Sequence, residues 1–310
     1  MALQTTIERP VEISGIGLHT AVRARVRLLP APADTGIVFR RTDLDNFEIE
    51  AHVRNVARVS YATSLMKKGV LLSTIEHLLA ALYSCGIDNV YAEIDNLEVP
   101  ILDGSAQPFI EMLDRAGVRR LRRRRRYLKV LRAFELADRD PHIAGETRRI
   151  GIYPCDEFRV RCYVDYAHPL VGQQDIELSV NRETFSRRLA PARTFGFMSD
   201  FDALRGVGLI RGGSLDNAIV LDRDRILNGP LRFDDEFGRH KALDLIGDLA
   251  LVGLPLRALV VARRAGHALH TQLVTRLLAD KSLWEETTED PAHDSAASAA
   301  IPVTSSIPAD

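Results

Sequence analysis

The stretch Arg239-His240-Lys241-Ala242-Leu243-Asp244-Leu245-Ile246-Gly247-Asp248 concentrates side chains able to do chemistry. Wound as a helix at about 100° per residue, it puts Asp244 about 40° and Asp248 about 80° round from His240, with Lys241 close beside them. Ala242, Leu243, Ile246 and Leu249 take the opposite side, which suits packing. A His and an Asp one turn apart can bind one divalent ion, and a carboxylate two turns along can brace a group facing it. The alternative is a solvated helix face carrying an ordinary His–Asp pair. The missing ligands decide between them.

A catalytic zinc usually keeps three protein ligands and leaves its fourth position to water. His240 and Asp244 supply two, and His77 is the best candidate for the third, because it starts a helix beside a carboxylate. The run Ser73-Thr74-Ile75-Glu76-His77 to Leu82, closed by Cys85-Gly86, has the start and stop signals of a helix. Its Ser73-x-x-Glu76 spacing also fits a capping box, which would give Glu76 a purely structural task. Glu76 and His77 differ by about 100° around such a helix, so one can bind a metal while the other holds the water. That resembles the work of the Glu in metalloprotease motifs, although no His-Glu-x-x-His occurs. Of the nine histidines, His52, His142, His168, His270 and His293 show no comparable carboxylate arrangement. On these residues alone, a metal hydrolase and a packed α/β protein with incidental polar helix faces both stay open.

Composition narrows the setting. A chain of 310 residues exceeds one usual core, so two domains are expected, and 46% apolar with 27% charged residues reads as soluble and globular. The net charge of -1 argues for neither nucleic acid nor an anionic membrane as partner. Cys85, Cys155 and Cys162 are too few for a disulfide framework or a thiolate metal site. Met1-Ala2-Leu3-Gln4 opens no signal segment, and the apolar stretch from Leu249 to Ala262 is broken by Gly253, Pro255 and Arg257. A cytoplasmic protein without a membrane span is expected.

The elements that must position the chemistry follow in order. Val22 to Leu28 alternates strictly and reads as a half-buried strand with three arginines facing water, ended by Pro30-Ala31-Pro32. Before it, Gly15-Ile16-Gly17-Leu18-His19-Thr20 is a turn able to present His19. Ile37 to Arg40 and Asp88 to Ile94 read as strands, and Ala106 to Arg115 as a helix stopped by Gly117. Seven arginines within Arg119 to Arg126 mark a solvated linker near the domain boundary, without the interleaved aromatics of a nucleic-acid patch. Strands restart at Tyr127 to Leu136, Arg149 to Tyr153 and Phe158 to Tyr166, with Ala137 to Glu146 as a loop. A helical segment at Arg182 to Arg188 leads to Ala192-Arg193-Thr194-Phe195-Gly196-Phe197. Gly206, Gly208, Gly212 and Gly213 then make a flexible, partly apolar wall. Leu256 to Ala262 is a strand, Gly266-His267-Ala268 a turn and Thr271 to Leu278 a helix. No sequence repeat is evident.

Six blocks in one order resemble the zinc-dependent UDP-3-O-acyl-N-acetylglucosamine deacetylases of bacterial lipid A synthesis, over roughly residues 3 to 286. They are Gly15 to Thr20, Pro30 to Gly36, Ser73 to Leu78, Asp103 to Ala106, Ala192 to Phe197 and Arg239 to Asp244. The resemblance implies an α+β fold of two similar domains, each a layered β-sheet with packed helices, with the active site between them. It divides the chain into 1–125 and 126–286, before a tail, 287–310, whose composition reads as disordered. It also implies zinc on His77, His240 and Asp244, Glu76 as general base, and His267 as opposing acid or electrostatic partner. Asp248 would orient that histidine, Thr194 would hydrogen-bond the developing oxyanion, and Lys241 would help hold substrate. Further substrate contacts are expected at Phe195, Phe197, His19, Gly213, Thr63 and Leu65. The Gly-rich stretch from about Phe197 to Ser214 would line a passage for the acyl chain. The implied substrate is a UDP-3-O-acyl-GlcNAc handled by a monomer, with no nucleic-acid partner. A non-catalytic nucleotide-sugar binding protein of the same fold is the alternative.

Overall fold

The computed structural model describes residues 2–58, 61–140 and 146–290. His142, His293 and most of the expected tail fall outside them. The first half runs β1 (Leu3–Ile7), β2 (Val11–Ile16), β3 (Arg23–Pro30), β4 (Ile37–Arg41), β5 (Phe47–Glu50), β6 (Val56–Arg58), β7 (Ser64–Lys67) and β8 (Val70–Leu72). It closes with α1 (Glu76–Ser84), β9 (Val90–Ile94), α2 (Gln107–Ala116) and β10 (Val118–Arg124). The second half runs β11 (Tyr127–Val130), β12 (Phe134–Arg139), β13 (Thr147–Pro154), β14 (Phe158–Tyr166), β15 (Gly172–Ser179), α3 (Arg182–Arg188), β16 (Phe195–Phe197), α4 (Phe201–Gly206) and β17 (Ile219–Leu221). Then come α5 (Glu236–Leu249), β18 (Leu256–Arg263), α6 (His267–Ala279) and β19 (Trp284–Thr287).

This is an α+β fold in which one wiring diagram is used twice. The first sheet is ordered β2-β3-β9-β4-β5, with β9 antiparallel to β3 and parallel to β4. In the second, β18 is antiparallel to β13 and parallel to β14, whose outer neighbours are β12 and β15. Each half thus lays down two hairpins and returns through a helix, α1 or α5, to the central strand. A parallel pair needs such a long crossover, and the two crossovers here pack on each other. The repeat is invisible in sequence because it conserves layer and period rather than residue identity.

Both crossover helices are buried nearly all round and run through the interior. His240, Asp244 and Asp248 are only 2%, 4% and 0% exposed, which excludes a solvated face on α5. Gly247 explains the close crossing: a Cβ there would stand 2.2 Å from the Glu76 carbonyl oxygen. Only a residue without a side chain lets α5 meet the first turn of α1.

Several local expectations are corrected. The arginine run is no linker, since β10 pairs antiparallel with β1 from Ile7 opposite Val118 to Leu3 opposite Arg124. Its backbone is satisfied by that ladder, while Arg123 reaches Asp34 at 3.0 Å and Arg125 reaches Asp88 at 2.9 Å. Tyr127 to Leu136 is interrupted, giving β11 and β12, and β12 carries Ala137 to Arg139 into a hairpin with β13. His267 opens α6 instead of sitting in a turn before it. Thr287, assigned to the tail, closes β19 against Tyr127. Among the described residues no helix is long and apolar enough to cross a membrane.

Candidate metal centre and its surroundings

Helix α1 starts at Glu76 without a side-chain cap, so Glu76 is not the third residue of a capping box. The Ser73 N–H instead donates to Leu97 O, and Thr74 Oγ1 donates to Glu98 Oε1. Glu76 and His77 are therefore left at a helix N-terminus buried in the protein, where the helix dipole favours the carboxylate's negative charge.

His77 Nε2 lies 3.6 Å and His240 Nε2 3.4 Å from Asp244 Oδ1, and the two rings meet edge to face at 4.9 Å. Donors around a tetrahedral ion with bonds of about 2.0 Å stand about 3.3 Å apart. These three buried atoms therefore fit one divalent ion. His240 Nδ1 donates to Ala192 O at 3.1 Å, which leaves the Nε2 lone pair directed at the cluster. Burial pushes His240 down to about 3, well into the neutral form a ligand needs. The other Asp244 oxygen accepts Lys241 Nζ at 2.9 Å. Although burial opposes the Asp244 charge, Lys241 and His240 hold its carboxyl well below the usual range.

Beside this trio, Glu76 is pushed up to about 6 by burial, against the pull of His267 and His77. Its Oε2 accepts the Thr63 N–H at 3.2 Å. Asp248, one turn beyond Asp244, accepts His267 Nδ1 at 2.7 Å and the Thr63 hydroxyl at 2.5 Å. Burial alone would neutralise His267, but Asp248, Asp244 and Glu76 outweigh it and raise the ring to about 9. Asp248 itself is held down to about 2 against its burial, chiefly by His267. Around neutral pH the site thus pairs a carboxylate able to take a proton with a charged imidazolium.

The other expected residues fall into two groups. Thr194 sits two residues from the His240 anchor, its N–H donating to Gly104 O and its carbonyl accepting from Ile219 N. Phe195 lies 6.5 Å from the His240 ring and under Lys241, and Phe197 packs on Tyr166. The Arg193 backbone and guanidinium both donate to the buried Glu236 of α5, which fixes this segment beside the cluster. Further off, the His19 turn docks on the Gly-rich segment: Ile210 N donates to His19 Nδ1, and Gly212 N to Leu18 O, one residue before Gly213. Leu65 is fully buried in β7, and the Thr63 hydroxyl is committed inward to Asp248. The segment Phe197 to Ser214 contains α4 and exposes Met198 and Val207.

Two residues carry more than sequence reading assigned. Glu98, buried, accepts from the backbone of His19 and Thr20 and from both threonine hydroxyls, Thr20 and Thr74. A lone carboxylate between Leu97 and Val99 was the available signal. His270 was set aside for want of a carboxylate, yet its Nδ1 lies 2.8 Å from Asp248 Oδ2. The i, i+3 spacing from His267 on a helix would have placed it there, had α6 been started at His267.

Comparison with known proteins places the whole of this region in one family. Residues 4–279 match the UDP-3-O-acyl N-acetylglycosamine deacetylase family. A UDP-3-O-acyl-N-acetylglucosamine deacetylase of Solibacter usitatus is 54% identical over 94% of this chain and 96% of its own length. Those of Syntrophotalea carbinolica and Myxococcus xanthus are 43% and 42% identical, over 92% and 91% of this chain and 91% and 88% of theirs. The chain belongs to the UDP-3-O-acyl N-acetylglycosamine deacetylase family.

Proposed function

We infer that this chain hydrolyses the acetamide of UDP-3-O-[(3R)-3-hydroxyacyl]-N-acetylglucosamine, giving the free amine and acetate as the committed step of lipid A synthesis, with zinc as its metal. The observation that carries the reading is the convergence of His77, His240 and Asp244 on one point, next to the raised carboxyl of Glu76, in a chain of this family. Binding a nucleotide sugar would need neither the metal ligands nor a buried base.

When bound at His77, His240 and Asp244, the ion supplies Lewis-acid polarisation of the acetamide carbonyl and a water of lowered pKa. Glu76 takes a proton from the attacking water, and its raised value lets it hold that proton and pass it on. Attack at the carbonyl carbon builds negative charge on oxygen, and Thr194 Oγ1 and the His267 cation stabilise it. Asp248 keeps His267 charged and fixes its ring. Protonation of the nitrogen, by Glu76 or His267, then breaks the C–N bond and releases acetate. Lys241 holds substrate beside Phe195, with Phe197, His19 and Gly213 as further contacts; Leu65, fully buried, and Thr63, turned inward to Asp248, do not reach it. The segment from Phe197 to Ser214 takes the acyl chain.

The doubled sheet supports two domains, 1–125 and 126–286, with the site between them. One chain supplies all the groups invoked, which supports a monomer, and a nucleotide-sugar substrate supports a cytoplasmic location. The test is acetate release from the UDP-3-O-acyl-GlcNAc by purified protein before chelation, after it and after zinc is restored. Loss and recovery support the reading. A zinc-loaded protein that binds substrate but releases no acetate overturns it.

A further inference from the structure

The Asp248 carboxylate is shared more widely than the mechanism requires. Its Oδ2 lies 2.7 Å from His267 Nδ1 and 2.8 Å from His270 Nδ1, while its Oδ1 takes the Thr63 hydroxyl at 2.5 Å. His267 and His270 stand three residues apart on α6, so their rings descend on the carboxylate from adjacent positions of one helix face. Both lone pairs of Oδ2 are used when both rings donate.

His270 is 1% exposed, and its Nε2 has no hydrogen-bond partner among the described residues. The Asp248 contact sets its tautomer, because an ionised carboxylate only accepts. A proton on Nε2 would leave a buried donor unsatisfied, whereas a proton on Nδ1 meets a carboxylate oxygen. Burial favours the neutral ring even against the pull of Asp248. His270 is thus a neutral donor aimed at the atom that His267 also uses.

We propose that His270 is a positioning residue for the deacetylation, which by donating Nδ1–H to Asp248 Oδ2 fixes the carboxylate's orientation and limits the negative charge it offers His267. The proposal rests on the deacetylase reading for its kinetic arm only. Two effects follow. The carboxylate is held from three sides, by α6 twice and by the residue preceding β7, so His267 keeps one ring orientation. The charges facing His267 are Asp248 and Asp244 from α5 and Glu76 from α1. Asp248 is the nearest, so a competing donor on Asp248 tunes the histidine most directly. Without that donor the oxygen belongs to His267 alone, and its imidazolium persists to higher pH.

The experiment compares His270→Leu with His270→Asn in the zinc-loaded enzyme. An Asn amide can place an N–H near the Nδ1 position; Leu cannot. In His270→Leu the basic limb of the kcat/KM profile is expected to move up by about half to one pH unit, with kcat lowered several-fold. His270→Asn is expected to restore both. Titration of the His267 ring by NMR reports the same shift without turnover, so an inactive wild type would defeat the deacetylase reading and leave this test standing. An unmoved His267 titration in His270→Leu overturns the proposal, as does a shift that His270→Asn fails to reverse. Should His270→Leu not fold, His270→Gln, whose amide sits one bond further out, takes its place against the Asn variant under the same criteria.

Discussion

Thr63 bridges Asp248 and Glu76: its hydroxyl donates to Asp248 Oδ1 at 2.5 Å and its backbone N–H to Glu76 Oε2 at 3.2 Å. The residue just before β7 thereby ties the Glu76 carboxyl on α1 to the Asp248 carboxylate on α5. Thr63→Val keeps the shape and the backbone bond but strips Asp248 of one donor. A loss of about 1–3 kcal/mol is expected in urea unfolding, because the oxygen is left buried and unpaired. The acid limb of the activity profile should stay in place, since the bond to Glu76 comes from the main chain.

The pH dependence of kcat/KM should be bell-shaped. Glu76 must be deprotonated to accept a proton, so activity falls as pH drops through about 6. His267 must be protonated to stabilise the oxyanion, so activity falls as pH rises through about 9. Asp248→Asn removes the first group that lifts His267, and the basic limb should move down. Glu76→Gln should keep the metal, abolish the acid limb and lower kcat by about 10²–10⁴-fold. Near-normal turnover in that variant would leave Glu76 no chemical part.

Metal content separates the ligands from their neighbours. His77→Ala and His240→Ala should each lose bound zinc and activity, measured by elemental analysis of dialysed protein. Asp244→Ala should do the same and also destabilise the metal-free protein, by about 1–3 kcal/mol more than either His variant, because Lys241 loses its carboxylate at 2.9 Å. Equal stability of the three metal-free variants would remove that pair from the account.

The cluster was legible where side-chain type and helical period sufficed. His240, Lys241, Asp244 and Asp248 declare themselves within ten residues, and Glu76-His77 opens an apolar run that only a buried helix could use. What brings the two helices together was not legible, because it rests on the missing side chain at Gly247 and on matching sheets that leave no evident repeat in the sequence. The arginine run misled for a related reason. Composition suggested solvent, but the backbone ladder with β1 lies 113 positions or more away in sequence, from Thr6 opposite Arg119 outward, and no local signal announces it. His270 was passed over because its carboxylate partner lies on another helix. Long-range pairing decided each of these cases.

The Gly247 crossing offers the strictest test of how the fold sets the chemistry. In Gly247→Ala the new methyl would lie 2.2 Å from Glu76 O and 3.0 Å from Glu76 Cα, both main-chain atoms that cannot rotate away. Either α5 or the first turn of α1 must move. Overpacking of this kind costs about 1–3 kcal/mol. The same displacement separates His77 and Glu76, on α1, from Asp244 and His240, on α5. Misplacement by about 1 Å can cost about 10²-fold in rate, so kcat should fall far more than the stability loss suggests. Gly206→Ala is the control, for a Cβ there meets nothing within 4 Å. It should change stability by no more than about 0.5 kcal/mol. A Gly247→Ala protein with native stability and turnover would mean that the helix crossing does not set the distance between the two halves of the site.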